Sequence, residues 1–176
     1  MAILDAAFGV EKSMLTTVHS YTASQRLQDA PAKDWREGRN AAENIVPTTT
    51  GAAIAVTKAL PQLTGKFDGL SVRVPTPIVS LSDVTALLQR PVTVEEVNAA
   101  FRQAAADPVY QGILAVSDEP LVSSDFIANP HSGIVDLPLT KVVDGNLIKV
   151  MVWYDNEWGY SNRLIELVAR IGQATA

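Results

Sequence analysis

One of the two histidines in this sequence stands where a side chain could exchange protons with a ligand. His19 lies near the end of the run SMLTTVHSYT, whose β-branched residues predict a strand over residues 13–22. Imidazole titrates near neutral pH without a large pKa shift, so His19 could act as a general acid or base. A histidine that is merely hydrogen-bonded at a sheet edge is the structural alternative. We expect His131, among the turn formers of NPHSG, to be a solvated loop residue.

A second candidate site lies at the start of a predicted helix. The segment TTTGAAIAVTKAL begins with Thr50 and Gly51 and has Pro61 near its end. Backbone N–H groups at a helix N-terminus favour an anion, a glycine lets phosphate approach the backbone, and a threonine hydroxyl adds a donor. Thr50 as an ordinary N-cap explains the same residues equally well.

Several cations could bind an anionic ligand. Arg73 lies between apolar neighbours in SVRVPTP, so it needs either a carboxylate such as Asp83 or the phosphate of a ligand. Lys33, Arg36 and Arg39 lie in a long polar loop, where they could line the same ligand or be solvated.

An aromatic and amide-rich junction is the last candidate. The segment WYDNEWGYSNR, residues 153–163, contains two tryptophans, two tyrosines and two asparagines. Such residues can hold a flat heterocycle, and they can equally form an ordinary core at a strand-to-helix junction.

The elements that must position these residues follow from hydrophobic periodicity and turn signals. AILDAAFG resembles the end of a helix that stops at Gly9, and residues 23–49 are predicted to form an irregular loop. Pro75 and Pro77 separate two strands within residues 70–89. The remaining expected elements are a helix over 91–107 with a Thr93/Glu96 capping box, strands in GILAVSD and VSSDF, and a hairpin over 139–155 that turns at Asp144-Gly145.

The C-terminal segment GYSNRLIELVARIGQ predicts an amphipathic helix with Leu164, Ile165, Val168 and Ile171 facing inward. The pattern favours an α+β fold, in which a mixed, mainly antiparallel sheet has its helices packed on one face. We expect a single domain over residues 10–176, with residues 1–9 the remnant of a helix that is cut at its start. No G-x-G-x-x-G motif is present, so no nucleotide-binding half is visible.

Composition excludes several classes of function. The chain has 176 residues, a net charge of −5 and no cysteine. It therefore has no disulfide and no thiolate metal site, and two distant histidines make a metal centre unexpected. The acidic balance argues against nucleic-acid binding, and no apolar run is long enough to span a bilayer. The N-terminal residues do not match a signal peptide, so we expect a cytoplasmic protein.

Taken together, four motifs resemble a known family. TTVHSYT, TTTGAA, VRVPTP and WYDNEWGYSNR have the order and spacing found in the catalytic, C-terminal domain of the phosphorylating glyceraldehyde-3-phosphate dehydrogenases. The resemblance extends from Gly9 to the terminal helix. It implies oxidation of glyceraldehyde 3-phosphate with inorganic phosphate to 1,3-bisphosphoglycerate in glycolysis, with reduction of NAD or NADP, in a homotetramer.

The resemblance also implies roles for individual residues. His19 matches the histidine that keeps a catalytic cysteine ionised and relays protons. Thr22 and Arg73 match residues that hold the phosphate of the substrate, while Thr50 and Gly51 match the site of the attacking inorganic phosphate.

Two further residues would belong to the cofactor site. Asn156 matches an asparagine that contacts the nicotinamide carboxamide, and Tyr160 matches a residue of the same pocket. The loop from residue 21 to about 43 resembles one that crosses a subunit interface. Some bacterial members carry a phosphate-contacting arginine where Glu37 aligns, between Arg36 and Arg39, so which of these three touches phosphate stays open.

The catalytic cysteine and the Rossmann half of this family lie upstream of the residues present here. We therefore expect residues 1–176 to be inactive alone. A non-catalytic, phosphate-binding assembly module and an erythrose-4-phosphate dehydrogenase remain the alternatives.

Overall fold

A seven-stranded mixed sheet organises residues 1–174, which the computed structural model describes. The strand order is β2-β3-β1-β4-β7-β6-β5, in which β1 pairs with β3 and β5 with β6 in parallel. The other four neighbouring pairs are antiparallel. The strands are β1 (Val10–Ser20), β2 (Val46–Thr48), β3 (Phe67–Val74), β4 (Ser80–Leu88), β5 (Leu114–Ser117), β6 (Gly133–Val143) and β7 (Leu147–Tyr154).

Helices within residues 2–106 pack on one face of this sheet, as the sequence predicts. The four α-helices are α1 (Ala2–Phe8), α2 (Ala52–Ala59), α3 (Val94–Ala106) and α4 (Trp158–Ala174). Phe8 of α1 and Phe101 of α3 are buried in one core with strand residues such as Val150. The α+β architecture with a mainly antiparallel sheet is thus confirmed.

Local sequence signals account for most element boundaries. The Thr93 hydroxyl accepts the Glu96 N–H, and the Glu96 carboxylate accepts the Thr93 N–H at 2.7 Å, so the predicted capping box starts α3. Gly9, with φ of 69°, ends α1 in the left-handed conformation that glycine adopts freely. The hairpin turns at Asp144 and Gly145, which also have positive φ.

Two predicted elements differ in the structure. VSSDF was expected to be a strand, but Ser123–Phe126 forms a 3₁₀-helix. The Asp125 carboxylate accepts the Val122 N–H at 2.8 Å, so a local side-chain bond competes with strand pairing. The loop over 23–49 is largely irregular, yet it contains β2, which adds an edge strand beside β3.

The inward orientation predicted for the apolar side of α4 is wrong. Leu164, Ile165, Val168 and Ile171 are 48–69% exposed. The first turns of α4 are anchored: a Cβ on Gly159 would lie 2.9 Å from the His131 carbonyl oxygen, and Arg163 donates to the Gly112 carbonyl at 2.9 Å. The helix is amphipathic, but α1 and α3 already cover the sheet core. Within residues 1–174, no helix is long and apolar enough to cross a membrane.

Two leucines test this difference in packing. Leu88 is 1% exposed in the core, whereas Leu167 of α4 is 54% exposed. Leu88→Ala should lower the free energy of unfolding by about 2–5 kcal/mol because it leaves a core cavity. Leu167→Ala should change it by no more than about 0.5 kcal/mol. Urea denaturation of both variants measures the difference, and similar losses would contradict the exposure of α4.

Candidate active site

The register of β1 and β3 places His19 beside Arg73. The two strands are parallel, with His19 and Arg73 as Cα partners. Partners in register point to the same face of a sheet, so both side chains lie on the face that carries the helices. The Nη1 atom of Arg73 is 2.5 Å from Nδ1 of His19. Two residues predicted to act on one substrate are therefore in contact.

A main-chain carbonyl completes this contact. The Ser20 carbonyl oxygen lies 2.7 Å from His19 Nδ1 and accepts from Arg73 Nη1 at 3.1 Å. A neutral imidazole carries one proton, so its tautomer decides which neighbour Nδ1 can bond. With the proton on Nδ1, the ring donates to Ser20 and Nε2 keeps a free lone pair. With the proton on Nε2, Nδ1 accepts from Arg73.

The surroundings favour a neutral imidazole. Burial lowers the pKa of His19 below 6.5, the Ser20 carbonyl opposes that shift, and the Arg73 charge lowers the pKa further. The ring of Tyr154 meets the imidazole edge-on, with 6.0 Å between ring centroids. Burial is also the main cause of the raised pKa of the Tyr154 hydroxyl. The imidazole is thus uncharged at neutral pH, and its tautomer decides which ring nitrogen can accept a proton.

Arg73 forms no ion pair with the carboxylate that the sequence suggested. Asp83 accepts from Lys149 Nζ at 2.7 Å, on the opposite face of the sheet. Arg73 is half-buried, and its Nε atom has no hydrogen-bond partner among residues 1–174. Burial lowers the pKa of its guanidinium group, whereas the charge of Glu37 raises it. A buried guanidinium donor without a partner is suited to an anionic ligand.

Thr50 and Gly51 lie between the edge strand β2, which neighbours β3, and the start of α2. Thr48 of β2 pairs with Ser71 of β3, two residues before Arg73. Gly51 is the residue before α2, and the Thr50 hydroxyl accepts the Ala52 N–H at 3.1 Å. Thr50 lines a surface cleft of about 420 Å³ with Arg36 and Thr48. The structure records no direct contact between this helix start and His19.

Thr22 follows β1 into a second cleft. Its hydroxyl lies 3.0 Å from the Ser24 hydroxyl. The cleft, about 530 Å³, is also lined by Gln25, Pro77 and Glu157. Gln25 is 6% exposed, and neither polar atom of its amide has a partner within the described residues. Sequence reasoning missed Gln25, because one glutamine in a polar loop gives no signal of burial.

Asn156 is held by two buried serines. Its Oδ1 atom accepts from the Ser20 hydroxyl at 2.9 Å and from the Ser80 hydroxyl at 3.0 Å. Ser80 Oγ also accepts the Ser20 N–H at 3.2 Å, so its own proton is left to donate to Asn156. This pattern turns the Asn156 oxygen inward and leaves its NH₂ group for a ligand acceptor. Ser20 and Ser80 gave no sequence signal, since a single serine in a strand matches no motif.

The rest of the aromatic junction is mainly structural. Asp155 accepts the Trp158 N–H at 2.8 Å and the Ala128 N–H at 2.8 Å, so it fixes the start of α4. Trp153 stacks on Phe126, with 5.3 Å between ring centroids. Tyr160 is 70% exposed on the first turn of α4, and the structure records no contact between it and His19.

The charged loop residues have separate partners. The Arg39 side chain donates to Asp29 at 3.1 Å, and the main-chain N–H of Arg36 donates to the Asp34 carboxylate. The Glu37 carboxylate accepts from the Thr48 hydroxyl at 3.0 Å. His131 lies 2.8 Å from the Asn129 side-chain oxygen and is half-buried, so it is not the fully solvated residue expected from its loop. Residues 1–174 contain no group of three or more His, Cys, Asp or Glu placed to hold a metal ion.

Comparison with known proteins decides the family. Residues 1–156 match the family described as glyceraldehyde 3-phosphate dehydrogenase, C-terminal domain. The chain belongs to this family. It is 54% identical over 172 residues to glyceraldehyde-3-phosphate dehydrogenase of Mycobacterium avium, covering 98% of this chain and 50% of that protein. The enzyme of Streptomyces coelicolor is 52% identical over 170 residues, covering 97% and 51%. The chain thus spans about half the length of these curated relatives, and corresponds to their C-terminal part.

Ser80→Ala tests the network that holds Asn156. The variant leaves the buried Ser20 N–H without an acceptor, so we expect the free energy of unfolding to fall by about 1–3 kcal/mol. Ser24→Ala removes an exposed hydroxyl and should cost no more than about 0.5 kcal/mol. Chemical denaturation compares the two variants. Equal stabilities would contradict the assigned network.

The pH dependence of stability tests the environment of His19. Burial lowers the pKa of both His19 and His131, so below pH 6.5 the unfolded chain takes up protons more readily than the folded one. Stability should be full above pH 6.5 and should fall as the pH drops below it. His19→Asn should flatten this fall, and the further change His131→Asn should flatten it more. The same slope in all three proteins, followed by denaturation at several pH values, would contradict the assignment.

Proposed function

We propose that this chain is the catalytic domain of a phosphorylating glyceraldehyde-3-phosphate dehydrogenase. The observation that carries the proposal is the contact between His19 and Arg73, a neutral base beside a guanidinium group with a free buried donor. Family membership supplies the reaction class. The proposed reaction converts glyceraldehyde 3-phosphate and inorganic phosphate to 1,3-bisphosphoglycerate in glycolysis.

The charged groups have distinct proposed tasks. Arg73 binds the phosphate of the aldehyde substrate, and Thr22 supplies a hydroxyl donor to the same group. Thr50 and Gly51, at the start of α2, receive inorganic phosphate on free backbone N–H groups. Glu37, hydrogen-bonded to Thr48, would oppose a second anion near Arg73. Binding the substrate by its phosphate group and holding inorganic phosphate nearby removes much of the entropic barrier to the reaction between the two molecules.

His19 moves the protons. In the proposed enzyme, a thiol outside residues 1–176 gives its proton to His19 and attacks the aldehyde carbon as a thiolate. His19 returns that proton to the aldehyde oxygen and accepts it again as the aldehyde is oxidised. Proton transfer of this kind contributes about 10²–10⁴-fold to rate.

The orientation of the Asn156 side chain fits a nicotinamide cofactor. The two serines turn the Asn156 amide so that its NH₂ group can donate to a carboxamide oxygen. NAD or NADP, when bound, supplies the hydride acceptor. Tyr160, which is exposed here, would be covered by the same cofactor site. Assembly into a homo-oligomer in the cytoplasm is part of the proposal.

Activity measurements test this function. The purified 176-residue chain should show no NAD or NADP reduction with glyceraldehyde 3-phosphate. Joined to the half of the Mycobacterium avium relative that this chain does not match, it should reduce the cofactor in a phosphate-dependent reaction. His19→Asn should then lower kcat by about 10²–10⁴-fold because the proton acceptor is lost.

His131→Asn is the matched control and should leave kcat unchanged, because His131 lies away from Arg73 beside Asn129. Turnover by the isolated chain would show that the expected inactivity of residues 1–176 is wrong. Full activity of His19→Asn, or a preference for erythrose 4-phosphate, would contradict the proposed function.

A further inference from the structure

Two atoms compete for one ring nitrogen at the centre of this site. His19 Nδ1 lies 2.5 Å from Arg73 Nη1 and 2.7 Å from the Ser20 carbonyl oxygen. Arg73 Nη1 also donates to that oxygen at 3.1 Å. The neutral ring cannot use both contacts at Nδ1, since the first needs a lone pair there and the second needs a proton.

Without an anion, the arrangement favours the tautomer with its proton on Nε2. Arg73 is a permanent donor, so its short approach to Nδ1 requires a lone pair on that nitrogen. The Ser20 carbonyl already receives the Arg73 N–H and needs no proton from the ring. In this state Nε2 carries a hydrogen and cannot accept one. His19 is then not a base toward the pocket.

The Ser20 carbonyl is a fixed alternative acceptor. Ser20 is 0% exposed, its N–H donates to Ser80 and its hydroxyl donates to Asn156. The carbonyl therefore stays within reach of Nδ1 whether or not Arg73 is there. Arg73, by contrast, can gain from moving, because its buried Nε lacks a hydrogen-bond partner within residues 1–174.

We propose that a phosphate group bound by Arg73 switches the tautomer of His19 and so turns the histidine into a base only when substrate is present. This inference rests on the proposed function. A phosphate dianion offers paired oxygens to Nε and Nη of the guanidinium group, and such charge-assisted bonds are stronger than a bond to a neutral ring nitrogen. Arg73 then releases Nδ1, which takes a proton and donates to Ser20.

The proton balance of this switch is simple. Nε2 gives a proton to water and Nδ1 takes one from water, so the ring stays neutral. The Nε2 lone pair is then free to accept a proton from the reacting thiol or aldehyde. The other titratable groups facing this pair are Tyr154, edge-on to the ring, and Glu37, whose charge acts on Arg73. Neither contacts Nδ1 in the structure.

Nitrogen-15 NMR of the histidine rings tests the switch directly. The chain has two histidines, so specific labelling gives two ring systems whose protonated and unprotonated nitrogens are resolved by shift. In phosphate-free buffer near neutral pH, His19 should be mostly the Nε2–H form. Saturation with inorganic phosphate, or with glycerol 3-phosphate, should make it mostly the Nδ1–H form. His131 should not change.

Two variants separate the switch from simple binding. Arg73→Gln should show mostly the Nδ1–H form without any anion and should not respond to phosphate. Arg36→Gln, which removes an exposed arginine from the other cleft, should behave as the unmodified chain toward glycerol 3-phosphate. If only inorganic phosphate acted, and Arg36→Gln abolished its effect, the anion would be acting from the Thr50 cleft and the switch at Arg73 would be wrong.

The outcomes distinguish the inference from the proposed function. If either phosphate shifts the Arg73 side-chain resonance while the His19 tautomer stays the same, the switch is wrong and the phosphate site stands. If neither phosphate perturbs His19 or Arg73 at saturating concentrations, the phosphate site itself is wrong, and the proposed function fails with it.

Discussion

The site depends on the parallel pairing of β1 and β3. In this register His19 stands opposite Arg73, and the two side chains leave the same face of the sheet at the same height. A shift of one residue in either strand would turn one of them to the other face, where Asp83 and Lys149 form their own pair. The hydrophobic residues that precede them fix this register, because Leu15 and Phe67 must be buried under the helices for the sheet to be stable.

Ser20 connects the reactive pair to the rest of the pocket. Its carbonyl contacts His19 and Arg73, its hydroxyl orients Asn156, and its N–H bonds Ser80. Each polar group of this buried residue thus contacts a different part of the candidate site. Because a buried polar group without a partner is costly, the network resists rearrangement and holds both the base and the amide in place.

Much of the fold could be predicted from local signals. The capping box at Thr93, the stop at Gly9 and the Asp144-Gly145 turn each act within a few residues, so sequence was sufficient to find them. The orientation of α4 could not be predicted in this way. An amphipathic helix buries its apolar side against some surface. Periodicity does not say whether residues 1–174 themselves form that surface. In residues 1–174 that side is largely exposed.

The site was predictable only in its residue types. The sequence singled out His19, Arg73 and Asn156 as candidates, yet the groups that contact them, the Ser20 carbonyl and the Ser80 hydroxyl, are set by strand register and carry no motif. Arg73 shows the limit most clearly. From the sequence, Arg73 could have formed an ion pair with Asp83. The register of β1 and β4 places that carboxylate on the opposite face of the sheet.

A crystal structure of the chain grown with phosphate is the most direct measurement of the central claim, that β1 and β3 jointly build an anion-responsive base. We expect phosphate oxygens within hydrogen-bond distance of Arg73 Nε and Nη. We also expect Arg73 to have moved away from His19 Nδ1, and the ring to keep its contact with the Ser20 carbonyl. Phosphate bound elsewhere, with Arg73 still on the imidazole nitrogen, would contradict it.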